Sequence, residues 1–265
     1  MNNWNLELKA GIALGVLIAG MTAAGFFYLP YGINEMESGR RFLPPQGRHL
    51  LGTDNFGRDV FSRIVTGGRY TLLTAVLTVA GSALAGSALG LISGYSGGLW
   101  DELIMRFMDA LSSFPGILLA LVMVALMDNG QFTLLAALLV LFIPSFTRIT
   151  RSGTLQYKHR DFVRAAEIMG ASPFRVLFRH ILPNLAPSLL SAAVLGLSNA
   201  ILAEAAMSYL GLGIQPPIPS WGRMLSESQN FLFNAPWCAL APGMMIMLTV
   251  LAFHTLGEGI RRRCC

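Results

Sequence analysis

The chain has 265 residues, 54% of them hydrophobic and only 12% charged, with a mean hydropathy of +0.57. A soluble domain runs near 45–50% apolar and about 25% charged, so this chain lacks the polar surface to cover a globule in water. Its Leu, Ile, Val and Ala content excludes a disordered polymer, and three cysteines, two of them adjacent at the end, exclude a disulfide framework. The class is integral membrane protein. Nineteen bases against fourteen acids leave a net charge of +5. The bases lie between apolar runs rather than on one face, which points to orientation in a bilayer and not to nucleic acid.

A spanning helix needs about 20 apolar residues, since roughly 30 Å of hydrocarbon is crossed at about 1.5 Å per residue. Such runs fall near residues 9–29, 70–95, 104–127, 131–149, 186–210 and 237–257, which predicts six transmembrane helices. The first run is longer than a signal-peptide core and is closed by Pro30, so it reads as a retained helix. With the N-terminus inside, the inner loops hold Lys9, Arg106, seven bases between Arg148 and Arg179, and Arg261 to Arg263. The outer loops hold fewer: six bases between Arg40 and Arg69, and Arg223. This asymmetry places both termini in the cytoplasm. The chain divides into a first helix with its external loop over 1–69 and a five-helix core over 70–265.

In the second run Ser82, Gly86, Gly90 and Gly94 recur every four residues, giving a smooth helix face for close packing in lipid. Gly94-Tyr95-Ser96-Gly97-Gly98 matches the G-x-S-x-G pattern of a nucleophile elbow. It sits at the end of a membrane helix, however, where glycines serve as cap and turn. Glu102, Arg106 and Asp109 share one face of the third run and can pair among themselves. Glu204 and Ser208 in the fifth run and His254 in the last are candidate polar positions of a pathway or of the bundle interior. Cys238 behaves as a small apolar residue, and Arg261-Arg262-Arg263-Cys264-Cys265 reads as a positive-inside stop with two reduced thiols.

The cytoplasmic loop at about 150–186 is too polar for the membrane and too patterned for a linker. Asp161 is placed to cap a short helix with Phe162, Ala165, Ala166 and Met169 on one face, and Gly170 ends it. Ser172-Pro173 starts a second helix as N-cap and first helical residue, running through Phe174–Leu182 until Pro183. Two short helices at an angle, with small residues on an apolar face, make a shape that inserts into a groove. The only lysines are Lys9 and Lys158, and neither closes a G-x-x-x-x-G-K-[ST] loop, so the chain holds no P-loop of its own. A groove on a separate motor subunit is the natural partner.

These residues resemble a known family. Ala165-Ala166-x-x-x-Gly170, with Leu182-Pro183 after eleven intervening residues, is similar to the EAA loop of ABC importer permeases, whose consensus is Glu-Ala-Ala-x3-Gly-x9-Ile-x-Leu-Pro. The chain departs from it at Arg164 for the Glu and His180 for the Ile. Leu51-Gly52-Thr53-Asp54-x-x-Gly57-Arg58-Asp59-Val60-Phe61-Ser62-Arg63 is similar to dipeptide, oligopeptide and nickel permeases. So are Arg179-His180-Ile181-Leu182-Pro183-Asn184, Ser208-Tyr209-Leu210-Gly211-Leu212-Gly213 and Pro219-Ser220-Trp221-Gly222. The match runs from about residue 45 to 262.

The resemblance implies an all-α fold of the type I ABC importer permease kind. It implies a translocation path for peptides, nickel or metal chelates, built with a second related permease, two ABC ATPases beneath and an external binding protein. ATP would be bound by the partner subunits, with no cofactor, metal or catalytic residue in this chain. By position, Phe162, Ala165, Ala166, Glu167, Met169, Gly170, Ala171 and Ser172, with Leu182 and Pro183, would couple to the ATPases. Asp54, Arg58 and Asp59 would shape the outer vestibule, contact the binding protein or form a capping turn. The location implied is the inner membrane. A self-sufficient secondary transporter or channel, or an intramembrane enzyme, is the alternative from the residues alone.

Overall fold

The computed structural model describes residues 3–25, 27–127 and 130–264, and among them every regular element is a helix. Cys265 of the terminal thiol pair lies outside the described residues, as does Phe26 of the first apolar run. Helix α1 (Asn3–Ala24) packs along the last helix, α10 (Trp237–Cys264), where a Cβ on Gly11 would meet Thr255 and Leu256. Helix α2 (Val60–Ser96) begins ten residues before the predicted run, because Asp59 caps it by accepting a hydrogen bond from Ser62 N at 2.8 Å. It closes on Gly97, whose N–H reaches Ser93 O at 3.1 Å, so the G-x-S-x-G pattern is a helix end and not a nucleophile elbow.

The predicted third span, 104–127, is two helices rather than one. Helix α3 (Gly98–Ser113) and helix α4 (Gly116–Leu126) meet at 90°. The cause is Pro115: it has no N–H for a helical bond, and it forces Phe114 into extended backbone at φ −86° and ψ 140°. Helix α5 (Gln131–Lys158) follows, then α6 (Asp161–Ile168) and the short α7 (Pro173–Arg175). The second helix of the loop does not stop at Pro183. It runs through a π-helical stretch, Val176–Ile181, into α8 (Leu182–Tyr209). The widened turn, with Leu182 N bonded to Leu177 O, makes room for Pro183 and its missing donor. Helix α9 (Trp221–Ser228) precedes α10.

By length and composition four of these helices can cross a bilayer: α2, α5, the continuous Pro173–Tyr209 segment and α10 over Trp237–Arg262. The α3–α4 pair makes a fifth if counted together, and α1, 22 residues long, carries the apolar stretch Leu8–Ala24. Among the described residues four or five spans are found by length and composition, so the predicted count of six is not confirmed.

The stripe on α2 does what its spacing predicts. Ser82 Oγ donates to Leu139 O at 2.9 Å, and the three glycines lie against the backbone of α5. A Cβ on Gly90 would stand 2.5 Å from Thr147 O and 2.7 Å from Thr150 Cβ. Gly90→Val is therefore expected to wedge α2 and α5 apart and cost about 1–3 kcal/mol or more. Thermal unfolding in detergent checks this, with Gly20→Val, which meets nothing within 4 Å, as the neutral comparison. The main core lies between α2, α5, α8 and α10, around Val79, Phe146, Ile201, Trp221 and Ile246.

Candidate functional site

Two polar constructions occupy opposite ends of the bundle. The first gathers the C-terminal ends of α2 and α5 with α6 and α7. Helix α6 is amphipathic across its own short length. Val163 and Ala166 (3% exposed) are buried on the bundle side, Val163 in the apolar cluster of Leu91, Val176, Ile181 and Leu185. The opposite side leaves Ile168 87% and Met169 81% exposed, with Phe162 and Ala165 also outward. The predicted apolar face is thus split: Phe162, Ala165 and Met169 face away from the chain, while Ala166 faces into it.

The turn after α6 depends on Gly170, whose φ of +81° is left-handed backbone that a side chain disfavours. Ala171 N bonds to Ala166 O at 3.0 Å and Met169 N to Ala165 O at 3.0 Å, which satisfies the carbonyls at the helix end. Ser172 Oγ accepts from Arg175 N at 3.4 Å, so the predicted cap and its Pro173 start form as expected. Phe174 and Phe178, both exposed, pair as tilted rings 4.4 Å apart. An open groove of about 490 Å³ is lined by Ala166, Met169, Ala171, Arg175, Arg179 and His180. Leu182 and Pro183 lie further along, where the π stretch joins α8.

This surface is tied to the membrane helices by polar bonds. Tyr95 Oη donates to Glu167 Oε1 at 3.1 Å, and Lys158 Nζ donates to Tyr95 O at 2.5 Å. Arg151 holds Asp101 in a two-point pair at 2.5 and 2.7 Å, and Ser93 Oγ also donates to Asp101. Glu102 pairs with Arg106 at 2.6 Å as its spacing predicts, but Asp109 turns to Arg148 of α5 at 2.8 Å instead. The Asp101–Arg151 and Asp109–Arg148 pairs join residues 50 and 39 positions apart, which no local spacing rule reveals.

At the other end, the segment before α2 folds onto α9 through a cluster of charges. Arg58 pairs with Asp54 at 2.6 Å and with Glu227 at 3.1 Å, and Arg63 reaches the same Glu227 oxygen at 3.1 Å. Arg63 also lies 3.9 Å from Asp54, and Arg223 lies 3.4 Å from Glu227. Asp59 caps α2 and also holds His49 Nδ1 at 2.9 Å, with the His49 ring stacked on Tyr31 at 4.5 Å. The three residues singled out in this segment, Asp54, Arg58 and Asp59, are all buried and engaged within the chain. Arg63, the last residue of the same motif, completes the cluster with Glu227 and Arg223 of α9.

Near that end Glu204 is fully buried. Ser208 Oγ donates to its Oε1 at 2.7 Å and accepts from Ile214 N at 3.3 Å, and the hydroxyls of Thr71 and Ser220 stand beside the carboxyl. Glu204 and Ser208 therefore belong to the bundle interior, whereas His254 is exposed on α10. Among the described residues no group of three His, Cys, Asp or Glu side chains is placed to hold a metal ion.

The exposed apolar ridge of α6 is held to the end of α2 by the bond between Tyr95 and Glu167. Residues 86–264 match the family of binding-protein-dependent transport system inner membrane components. The chain belongs to this family.

Among its relatives, the dipeptide transport system permease protein DppC of Alkalihalophilus pseudofirmus is 42% identical, covering 86% of this chain and 75% of its own length. The glutathione transport system permease protein GsiD of Pectobacterium atrosepticum is 39% identical over 97% of this chain and 86% of its own. The di/tripeptide transport system permease protein DppC of Pseudomonas aeruginosa is 37% identical over 97% and 87%. In fold, the chain is similar to the inward-facing MetNI methionine ABC transporter, with a TM-score of 0.64, 18% identity, and coverage of 76% of this chain and 96% of that one. The chain is thus a multi-pass inner-membrane permease of an ABC importer. Its family works with a partner permease, an ATPase and a substrate-binding protein.

Proposed function

We propose that this permease carries peptides, with α6 and α7 as the element through which two separate ATPases drive it. The observation that carries the reading is the ridge of Phe162, Ala165, Ile168 and Met169, outward and uncovered in a segment otherwise rich in charge. An apolar ridge in water is stabilised by a partner groove, and each buried Å² contributes about 25 cal/mol. In the complex Glu167 and Lys158 relay motion of α6 to Tyr95 at the end of α2, and the glycine stripe makes α2 and α5 move as one body. Closure of the ATPases then switches the bundle between inward- and outward-facing states by rigid-body movement. ATP is held by those partners. The relatives named above transport dipeptides, tripeptides and glutathione, which favours peptides over nickel or metal chelates as cargo.

In this reading both termini, α6 and α7 are cytoplasmic, and the cluster around Glu227 faces outward, where a loaded binding protein docks. Thiol labelling tests the orientation. A membrane-impermeant maleimide applied from outside reaches a cysteine at Gly39, which is exposed with open space around it, and fails at Arg160 beside α6. Labelling with the two positions reversed overturns the orientation. The coupling is tested by disulfide trapping in the full complex. Met169→Cys is expected to trap the ATPase subunit, and a trap formed only with the second permease refutes the assignment.

A further inference from the structure

Helices α8 and α10 lie side by side and antiparallel, with Ser198 Oγ donating to Val250 O at 3.2 Å and Leu195 pressed on Gly257. Their inner sides, with Ile201, Ala205 and Ile246, enter the main core. Away from that core, each helix leaves residues exposed at helical spacing, together termed the α8–α10 strip. From α8 it carries Asn199 and Leu202, and from α10 it carries Met244, Met247, Leu251 and His254.

Asn199 is ten residues before the end of α8 at Tyr209, about 15 Å by helical rise, which is the middle of a 30 Å hydrocarbon layer. Its amide makes no hydrogen bond within the described chain, and neither does the His254 ring. A primary amide facing hydrocarbon without a partner is strongly disfavoured. Polar side chains at this depth therefore face protein or a water-filled cavity. The composition of the strip decides between these two. Close helix contacts in membranes are built on Gly, Ala and Ser, as the α2–α5 seam is here. The α10 half of this strip instead presents Leu and Met side chains, and thioethers adapt to ligands of varied shape.

We infer that this α8–α10 strip lines the aqueous translocation path, with Asn199 as a hydrogen-bonding position for the backbone amides of passing peptides and His254 as a second polar station nearer the cytoplasm. The inference rests on the permease reading above and adds the wall that substrate touches. An amide both donates and accepts, so Asn199 matches a peptide group in either chain direction and without regard to its side chains.

The test uses the full complex in proteoliposomes, with Cys238→Ala, Cys264→Ser and Cys265→Ser as the parent. ATP-driven uptake of a labelled dipeptide by that parent is measured first, and its absence refutes the permease reading itself. With uptake established, Asn199→Cys is expected to react with a charged, membrane-impermeant methanethiosulfonate reagent. The unlabelled dipeptide at ten times its half-saturating concentration should slow that reaction about tenfold. Phe233→Cys, at an exposed position between α9 and α10, serves as the comparison outside the strip and should show no such protection. Asn199→Leu should lower uptake with the complex still assembled, and Asn199→Gln should restore it. Two results overturn the inference while leaving the permease function intact: reaction of Asn199→Cys only with an uncharged, membrane-permeant maleimide, or its disulfide trapping to the second permease without charged labelling.

Discussion

Met169→Glu is expected to reduce ATP-driven uptake at least tenfold while leaving the chain folded. Met169 is 81% exposed and touches little of its own chain, so a carboxylate there is hydrated and harmless in the isolated permease. Docked in an apolar groove of an ATPase, the same carboxylate loses water without gaining a partner, and a loss of only about 1.4 kcal/mol is tenfold in binding. Ala166→Arg separates this effect from misfolding. Ala166 is 3% exposed and faces the bundle, so its replacement detaches α6 from its own chain and lowers stability as well as uptake. Thermal unfolding of the purified permease, read beside uptake by the assembled complex, distinguishes the two variants. Equal loss of stability in both contradicts the outward assignment of Met169.

Glu227→Ala is expected to be the most destabilising single change at the opposite end. The Arg58, Arg63 and Glu227 side chains are 8%, 3% and 23% exposed, and one Glu227 oxygen accepts from both guanidinium groups at 3.1 Å. Removing it leaves two buried arginines to share Asp54, and breaking a buried ion pair costs about 3–5 kcal/mol. The loss should appear as release of the segment before α2 from α9, read as faster proteolysis between Gly52 and Asp59. Glu227→Gln keeps the shape and one acceptor and should retain part of the stability. Unchanged unfolding of Glu227→Ala contradicts the role given to the cluster.

Local signals made the helices and the loop legible. The glycine stripe at four-residue spacing gave the tight α2–α5 seam, and Gly170 with Ser172-Pro173 gave the turn between α6 and α7, because each feature is decided within a few residues. Pro115 was equally visible, yet a run of apolar residues on both sides of it masks the break, and only the backbone shows the 90° bend. Pro183 misled in the other sense, since a π stretch upstream lets the helix pass through it. The charge cluster was half legible. Asp54, Arg58 and Asp59 stand out in sequence, but Glu227 lies 169 residues from Arg58, a distance at which only the folded chain brings partners together. Asn199 carried no pattern at all, and its interest arises from its exposure at the depth where the bilayer is driest.

This permease is expected to move substrate only when separate ATPases push on α6 and α7. The measurement is uptake of a labelled dipeptide into proteoliposomes, with the permease pair present and the ATPases and ATP supplied or withheld. Uptake is predicted with both permeases, ATPases, ATP and loaded binding protein together, and at background level when the ATPases are omitted. Dipeptide entry driven by a gradient through the permeases alone, without ATPases or ATP, would contradict it.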